Sequence, residues 1–419
     1  MLCTLRRTLA LGGLLGALVS SIQGQMADPT FPVNGTHDKG LVATLLEHAT
    51  IHVDAGTTME NATLVMHNGR IVAVGPDGET SHAGPAVRVD MTGLHLYPSF
   101  VDLNSDFGTP EVQDAGWSRT PQDLSDKKGA YGWNEAVRPE TSAAAAFDPD
   151  AETAERLRKS GVGAVLTHVN DGVVRGTGAV VLPLEDAREA LLKPEATFHM
   201  SFRKGSSSQN YPSSLMGATA LLRQTHLDAA WYEEASAKGQ AGVTNLSLEA
   251  FVEAQSLPRV FQAGHWKDAL RADAVLDEFG VTQPIVVGNG HGYQRAVALK
   301  EADVRMVIPA KYPGAYDVSD PYLARLVGLD ELKHWELAPQ NAALLHAAGV
   351  PIAFSGRGIK DPLGMLSGVR RAVEEGLPES AALAALTSAP ASWIGMDQEL
   401  GSLREGRVAN VLVTDGPLF

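Results

Sequence analysis

The stretch of sequence that decides the fold is YPSFVDLNSDFG, which runs from Tyr97 to Gly108. It has the frame of a buried strand, and two polar residues, Asn104 and Asp106, stand two positions apart near its end. Alternate residues of a strand point to the same face. We therefore expect Asn104 and Asp106 to enter one site together at the end of this strand.

The residue types at these two positions are unfavourable for a metal. A neutral amide oxygen such as that of Asn104 is a poor ligand for zinc, and one carboxylate such as Asp106 needs imidazole or carboxylate partners nearby. We therefore predict neither a metal nor another cofactor at this strand. Zinc would bind only if other residues form a rearranged site.

A second informative pattern lies near the end of the chain. Residues 385–391 read ALTSAPA, and residues 400–413 read LGSLREGRVANVLV. Together with residues 97–108, this pattern resembles the amidohydrolase superfamily, in its imidazolonepropionase-like and divergent, secreted bacterial form. The first barrel strand of that family usually reads Pro-Gly-Phe/Leu-Ile/Val-Asp-x-His-x-His, so Asn104 and Asp106 replace the two His. The resemblance extends from about residue 45 to the end.

The resemblance implies an α/β fold, a (β/α)8 TIM-like barrel with a small composite β-sandwich built from both chain ends. The domains would be a signal peptide at 1–24, the N-terminal part of the sandwich at 25–96, the barrel at 97–395 and a return to the sandwich at 396–419. Alternating buried runs and helical stretches between residues 97 and 395 favour the barrel, although periodicity alone leaves a doubly wound sheet open. Short β patterns with Asn68-Gly69 and Asp77-Gly78 turns favour hairpins before residue 96.

The net charge of the chain limits its partners. The chain of 419 residues has 34 Lys and Arg against 49 Asp and Glu, a net charge of −15. Nucleic acid and anionic lipid would be repelled on average, so neither is expected as a partner. We expect a small-molecule ligand or substrate instead.

The N-terminus predicts a secretory signal peptide. Arg6 and Arg7 precede a short apolar run that ends near small residues, with cleavage near Gly24. A membrane anchor is the alternative, but the run is short and no later segment is long enough to span a bilayer. We therefore expect a secreted or periplasmic protein of a Gram-negative bacterium, without Cys once Cys3 is removed.

Other candidate site residues follow the predicted strands. Amidohydrolases usually place a His at strands five and six and an Asp at strand eight. Here the corresponding positions hold Gln262, Asn289 and Arg357. Because an Arg neither deprotonates water nor binds a cation, Arg357 argues against the usual chemistry. Three nearby imidazoles complete the candidate pocket: His168, His265 and His291.

Three hypotheses remain open. By resemblance, the chain is a hydrolase of carbon–nitrogen bonds other than peptide bonds, with a rearranged or mononuclear site. By residues, it is a non-catalytic barrel, a pseudoenzyme that binds a ligand or supports a catalytic partner. It could also be an unrelated barrel enzyme that needs no metal. The apolar ending Pro417-Leu418-Phe419 further predicts that the chain is truncated, with more sandwich and a second amidohydrolase module after it.

Overall fold

The computed structural model describes residues 42–115 and 120–419. The predicted signal peptide and its cleavage site lie outside these residues. Within the described ranges, no helix has both the length and the apolar character needed to cross a membrane.

The first sheet contains strands from the N-terminal and C-terminal parts of the chain. Its six strands are β1 (Ala43–Asp54), β2 (Thr57–His67), β3 (Arg70–Pro76), β4 (Ala86–Asp90), β5 (His95–Pro98) and, from the C-terminal end, β14 (Val411–Thr414). The order is β14-β5-β1-β2-β3, with β4 beside β1. Asn68 and Gly69 connect β2 to β3 with φ values of 52° and 71°, the backbone of a two-residue hairpin turn. The predicted hairpin therefore forms at this dipeptide.

Eight strands form the second, nearly closed sheet. They are β6 (Phe100–Ser105), β7 (Val162–Thr167), β8 (Val174–Val181), β9 (Leu191–Ser201), β10 (Arg259–Gln262), β11 (Ile285–Val287), β12 (Arg305–Pro309) and β13 (Ile352–Ser355). They pair in chain order from β6 to β13. This eight-stranded barrel sheet and the six-stranded first sheet confirm the coarse fold prediction.

In the described part of the chain, the helices lie between strands from β6 onward and after β13. They are α1 (Ala143–Ala146), α2 (Ala151–Lys159), α3 (Ala187–Ala190), α4 (Leu215–Ala237), α5 (Leu246–Ala254), α6 (Trp266–Asp277), α7 (Ala296–Glu301), α8 (Pro321–Ala324), α9 (Leu329–Leu337), α10 (Asn341–Ala347), α11 (Gly364–Glu374), α12 (Glu379–Leu386) and α13 (Ser388–Trp393). Short 3-10 helices occupy Gly292–Arg295 and Ala338–Gln340.

One strand departs from a regular (β/α)8 pattern. β8 is antiparallel to both β7 and β9, whereas β9 to β13 are parallel to one another. Only residues 168–173 connect β7 to β8, and a parallel crossover needs about a dozen residues or more. The short connection therefore reverses the strand, and it places the N-terminal end of β8 at the same rim as the C-terminal ends of the other strands.

Two apolar layers hold the barrel together. The inner layer contains buried residues such as Leu103, Leu166 and Val307, with Trp393 and Ile394 of the α13 region packed against them. The outer layer packs strand residues such as Phe354 against helices through residues such as Leu345. The strands contribute to both layers because successive side chains along a strand point to opposite faces.

Candidate active site

The first feature of the site is a buried carboxylate where β6 meets β13. Asp102 is 3% exposed and accepts hydrogen bonds from the backbone N–H groups of Asn104, at 2.9 Å, and Gly356, at 2.8 Å. Burial raises the pKa of Asp102 to about 6, although these N–H groups favour the charged form. The side chain thus joins the first and last strands of the barrel sheet.

Arg357 follows β13 and contacts both polar residues of the opening stretch. Its Nη1 donates to Asn104 Oδ1 at 3.1 Å, and its Nη2 donates to Asp106 Oδ2 at 3.2 Å. The Arg357 side chain is 23% exposed and that of Asp106 is 67% exposed. The structure therefore brings Asn104, Asp106 and Arg357 together at the end of strands β6 and β13.

This donor set does not fit a metal of the kind that amidohydrolases use. The guanidinium of Arg357 lies against the oxygens of Asn104 and Asp106, and a fixed positive charge there repels a cation. Among the described residues, no group of three or more His, Cys, Asp or Glu side chains is arranged to hold a metal ion. The residues at this position therefore do not fit a metal-dependent reaction step.

A second set of polar side chains lies at the same rim and is more fully buried. Arg175, at the start of β8, is 3% exposed and donates through Nη1 to Gln262 at the end of β10. Its Nε donates to the Gly172 carbonyl at 3.1 Å. Burial lowers the pKa of Arg175 to about 9, and the charge of Arg357 adds to this effect. Arg175 remains a cation at neutral pH.

Two buried imidazoles stack beside this arginine. The rings of His168 and His199 lie 4.0 Å apart, centroid to centroid, and Thr197 Oγ1 lies 2.8 Å from His199 Nε2. Burial holds the pKa of His168 well below its usual range and lowers that of His199 to about 3. Both rings are therefore neutral at pH 7. Neither ring nitrogen of His168 has a hydrogen-bond partner among the described residues.

The remaining predicted imidazoles form a separate group at the rim. The rings of His265 and His291 lie 5.3 Å apart, and His291 stacks on His334 at 3.7 Å. His265 caps α6 by accepting from the Lys267 N–H, and His291 Nδ1 lies 2.9 Å from Asn289 Oδ1. Burial lowers the pKa of all three rings. They are hydrogen-bonding, stacking residues in this arrangement.

A cavity of about 380 Å3 opens beside these groups. It is lined by segments that follow β11, β12 and β13, and its polar lining includes Asn289, Lys311, Tyr312, His334 and Arg357. Tyr312 donates to the Gly368 carbonyl at 3.0 Å, and burial raises its pKa to about 12, so its hydroxyl stays neutral. No Asp or Glu is among the described lining residues. The charged side chains of the described lining, Lys311 and Arg357, are both cations.

Sequence reasoning missed four residues of these groups: Arg175, His199, Lys311 and His334. A signal for one of them exists. Thr197, His199 and Ser201 alternate with Phe198 and Met200 along β9, and such alternation marks a polar inner face. The start of β9 contains Lys193, Pro194 and Glu195, and this polar composition is not typical of a strand, so the alternation was not recognised.

Comparison with solved structures finds proteins of the same architecture. An amidohydrolase from Thermotoga maritima MSB8 is 24% identical, with 90% of this chain and 94% of that chain covered and a TM-score of 0.66. A prolidase complexed with N-methylphosphonate-L-proline is 17% identical, covers 90% and 93%, and has a TM-score of 0.51. A Xaa-Pro dipeptidase with bound methionine in the active site is 12% identical, covers 90% and 94%, and has a TM-score of 0.51.

No protein-family model matches the sequence, and no curated protein matches it either. The structural likeness nevertheless covers nearly the whole of both chains, and it agrees with the motifs at residues 97–108 and 385–413. The chain therefore has the fold of the amidohydrolase superfamily.

Proposed function

We propose that this chain is a binding protein for a small carboxylate, which it holds at the barrel mouth without hydrolysing it through a metal. The observation that carries the proposal is Arg357, which contacts Asn104 and Asp106 where a metal and its base would be needed. Its fork of five N–H donors is suited to a planar carboxylate, and two of these donors are used within the protein.

The residues that line the cavity favour an anionic ligand. Lys311 and Arg357 line one cavity, the described lining residues include no carboxylate, and the chain as a whole is acidic. A local cluster of cations in a concave site concentrates anions despite an opposite net charge. The neutral side chains of Asn289 and Asn341 line the same cavity and can fix the orientation of a bound molecule.

The structural neighbours suggest the first probes. One neighbour is complexed with N-methylphosphonate-L-proline and another has bound methionine. We therefore choose N-acetyl-L-proline and N-acetyl-L-methionine, with their methyl esters as uncharged controls. Calorimetric titration of the purified chain should show saturable binding of the acids and about tenfold weaker binding of the esters.

Matched variants test the positions. Arg357→Met and Lys311→Met should each weaken binding of the acids by about tenfold, because each removes a charge-assisted hydrogen bond but keeps the apolar stem. Lys238→Met, an exposed residue at the end of α4, should leave it unchanged. Equal affinity for acids and esters would overturn the proposal. So would an affinity for the acids that is the same in the wild type, Arg357→Met and Lys311→Met.

The competing hypothesis is hydrolysis of a carbon–nitrogen bond. It is tested by incubating the chain with the same N-acetyl amino acids and with Xaa-Pro dipeptides, with Zn2+ or Mn2+ added. We expect no release of free amino acid above the protein-free rate. Release that depends on added metal and saturates with substrate would establish the hydrolase in place of the binding protein.

A further inference from the structure

A loosely packed segment borders the cavity at the barrel mouth. This rim segment, residues 313–337, contains α8 and α9, and no residue of either helix is buried. Tyr322, Leu326 and Leu329 are 78%, 78% and 70% exposed. A segment with few buried apolar side chains opens at a low free-energy cost. The position of the rim segment therefore depends on a small number of contacts.

One side chain of α9 joins the rim segment to the barrel. The ring of His334 stacks on that of His291, with centroids 3.7 Å apart and ring planes 11° apart. His334 Nδ1 also lies 3.3 Å from the Tyr293 hydroxyl. Among the described residues, no other side chain of the rim segment has a hydrogen bond, ion pair or ring contact outside the segment. His334 is also part of the cavity lining.

The groups around this pair of rings are mostly cationic. They lie at the start of α6, on the first 3-10 helix and after β12 and β13, and they are His265, Lys267, Arg295, Lys311 and Arg357. The first carboxylate of α6, Asp268, already pairs with Arg271 at 2.9 Å. On α9 itself, Glu331 accepts from the Gly328 N–H at the start of the helix, and Lys333 and Glu336 are exposed and of opposite charge. A positive charge on the stacked rings therefore finds little compensation.

Protonation changes the contact between His291 and His334. Burial lowers the pKa of both rings below the ordinary value of 6.5, and neighbouring imidazoles lower it further. Both rings are therefore neutral at pH 7.5, and neutral rings stack favourably. Two imidazolium rings at this separation repel each other. Because the folded-state pKa is lowered, the contact is fully stable above pH 6.5 and weakens as the pH falls below that value.

We propose that His291 and His334 form an acid-sensitive latch, which holds the rim segment at the barrel mouth at neutral pH and releases it when the two rings are protonated. The chain on either side of the segment stays in place. Tyr312 donates to the Gly368 carbonyl at 3.0 Å before it, and Ala338 is 3% exposed after it. Release widens the cavity, because His334 leaves its lining. The latch operates whatever ligand the cavity binds.

Hydrogen–deuterium exchange of the full purified chain tests the latch. Mass spectrometry follows peptides from residues 321–337 at pH 7.5 and pH 5.5, with each rate corrected for the intrinsic effect of pH on amide exchange. We expect the protection of these peptides to fall about tenfold at pH 5.5. Peptides from α12, which contains no His and is largely buried, should keep their protection.

Matched variants assign the effect to the two rings. His334→Phe keeps a ring that stacks but cannot be protonated, so protection of residues 321–337 should be the same at both pH values. His334→Gln removes the ring, so protection should be low at both. His346→Phe, at an exposed position on α10, is the control and should keep the wild-type response to pH.

Two results would overturn this inference. One is equal protection of residues 321–337 in the wild type at pH 7.5 and pH 5.5. The other is a folded His334→Phe variant that still loses protection at pH 5.5. Circular dichroism establishes that each variant is folded, and His291→Phe provides the same comparison if His334→Phe is not. Either result leaves the carboxylate proposal intact, because that proposal depends on Arg357 and Lys311.

Discussion

At the scale of single residues, Asp102 has the clearest structural role. Its side chain accepts from the backbone N–H of Asn104 on its own strand and from that of Gly356 after the last strand. Its burial is costly for the charged form, which is why its pKa is raised to about 6 from 3.8. The carboxyl group that connects the first and last barrel strands therefore also makes the stability of the chain depend on pH.

This linkage predicts a pH dependence. A raised folded-state pKa means that the contribution of Asp102 is fully present below pH 3.8 and is lost as pH rises through about 6. Relative to Asp102→Asn, the wild type should therefore lose about 2 kcal/mol of unfolding free energy between pH 4 and pH 7. Urea unfolding at several pH values measures this difference. The exposed Asp123→Asn variant serves as control, and a difference that is flat with pH would contradict the prediction.

At the scale of elements, the β8–β9 pair determines what the barrel contains. The reversal of β8 places Arg175 at the mouth, and β9 places His199 beside His168. The two strands approach closely at Gly178, where an added Cβ would lie 2.4 Å from His199 Nε2 and 2.7 Å from Thr197 Oγ1. A glycine at this position is therefore required for the imidazole to fit.

Gly178→Ala should destabilise the chain by about 1–3 kcal/mol, because the methyl group overpacks a buried polar cluster. The midpoint of urea unfolding measures this loss. Gly314→Ala is the matched control, since an added Cβ at Gly314 meets no atom within 4 Å. If both variants unfold at the same urea concentration, the close approach at Gly178 is not a constraint on stability.

At the scale of the whole molecule, the C-terminal residues pack onto strands formed far earlier. β14 pairs antiparallel with β5, and the Leu418 N–H donates to the Tyr97 hydroxyl at 3.2 Å. Leu418 is 1% exposed and Phe419 packs against the outer apolar layer. Leu418 and Phe419 therefore have apolar partners within the chain, whereas the expected truncation and second module stay predictions.

Leu418→Ala should destabilise the chain by about 2–5 kcal/mol, since it leaves a cavity in a buried layer. Val413→Ala, on β14 at a side chain that is 43% exposed, should cost much less and is the control. Thermal unfolding of both variants provides the comparison. Equal melting temperatures would show that the terminal residues do not contribute to the barrel's outer layer.

The sequence by itself determined the positions of most strands and the family resemblance of the fold, because alternation, turn dipeptides and buried runs are local signals. It also identified Asn104, Asp106 and Arg357 as candidates. Tertiary structure alone decided that Arg357 donates to Asn104 and Asp106, which lie 253 and 251 positions away. It also decided that β8 is antiparallel to β7 and β9, and that His226 and Arg259 line one cavity. Each of these is a relation between distant residues, and such relations arise only when the strands and helices pack.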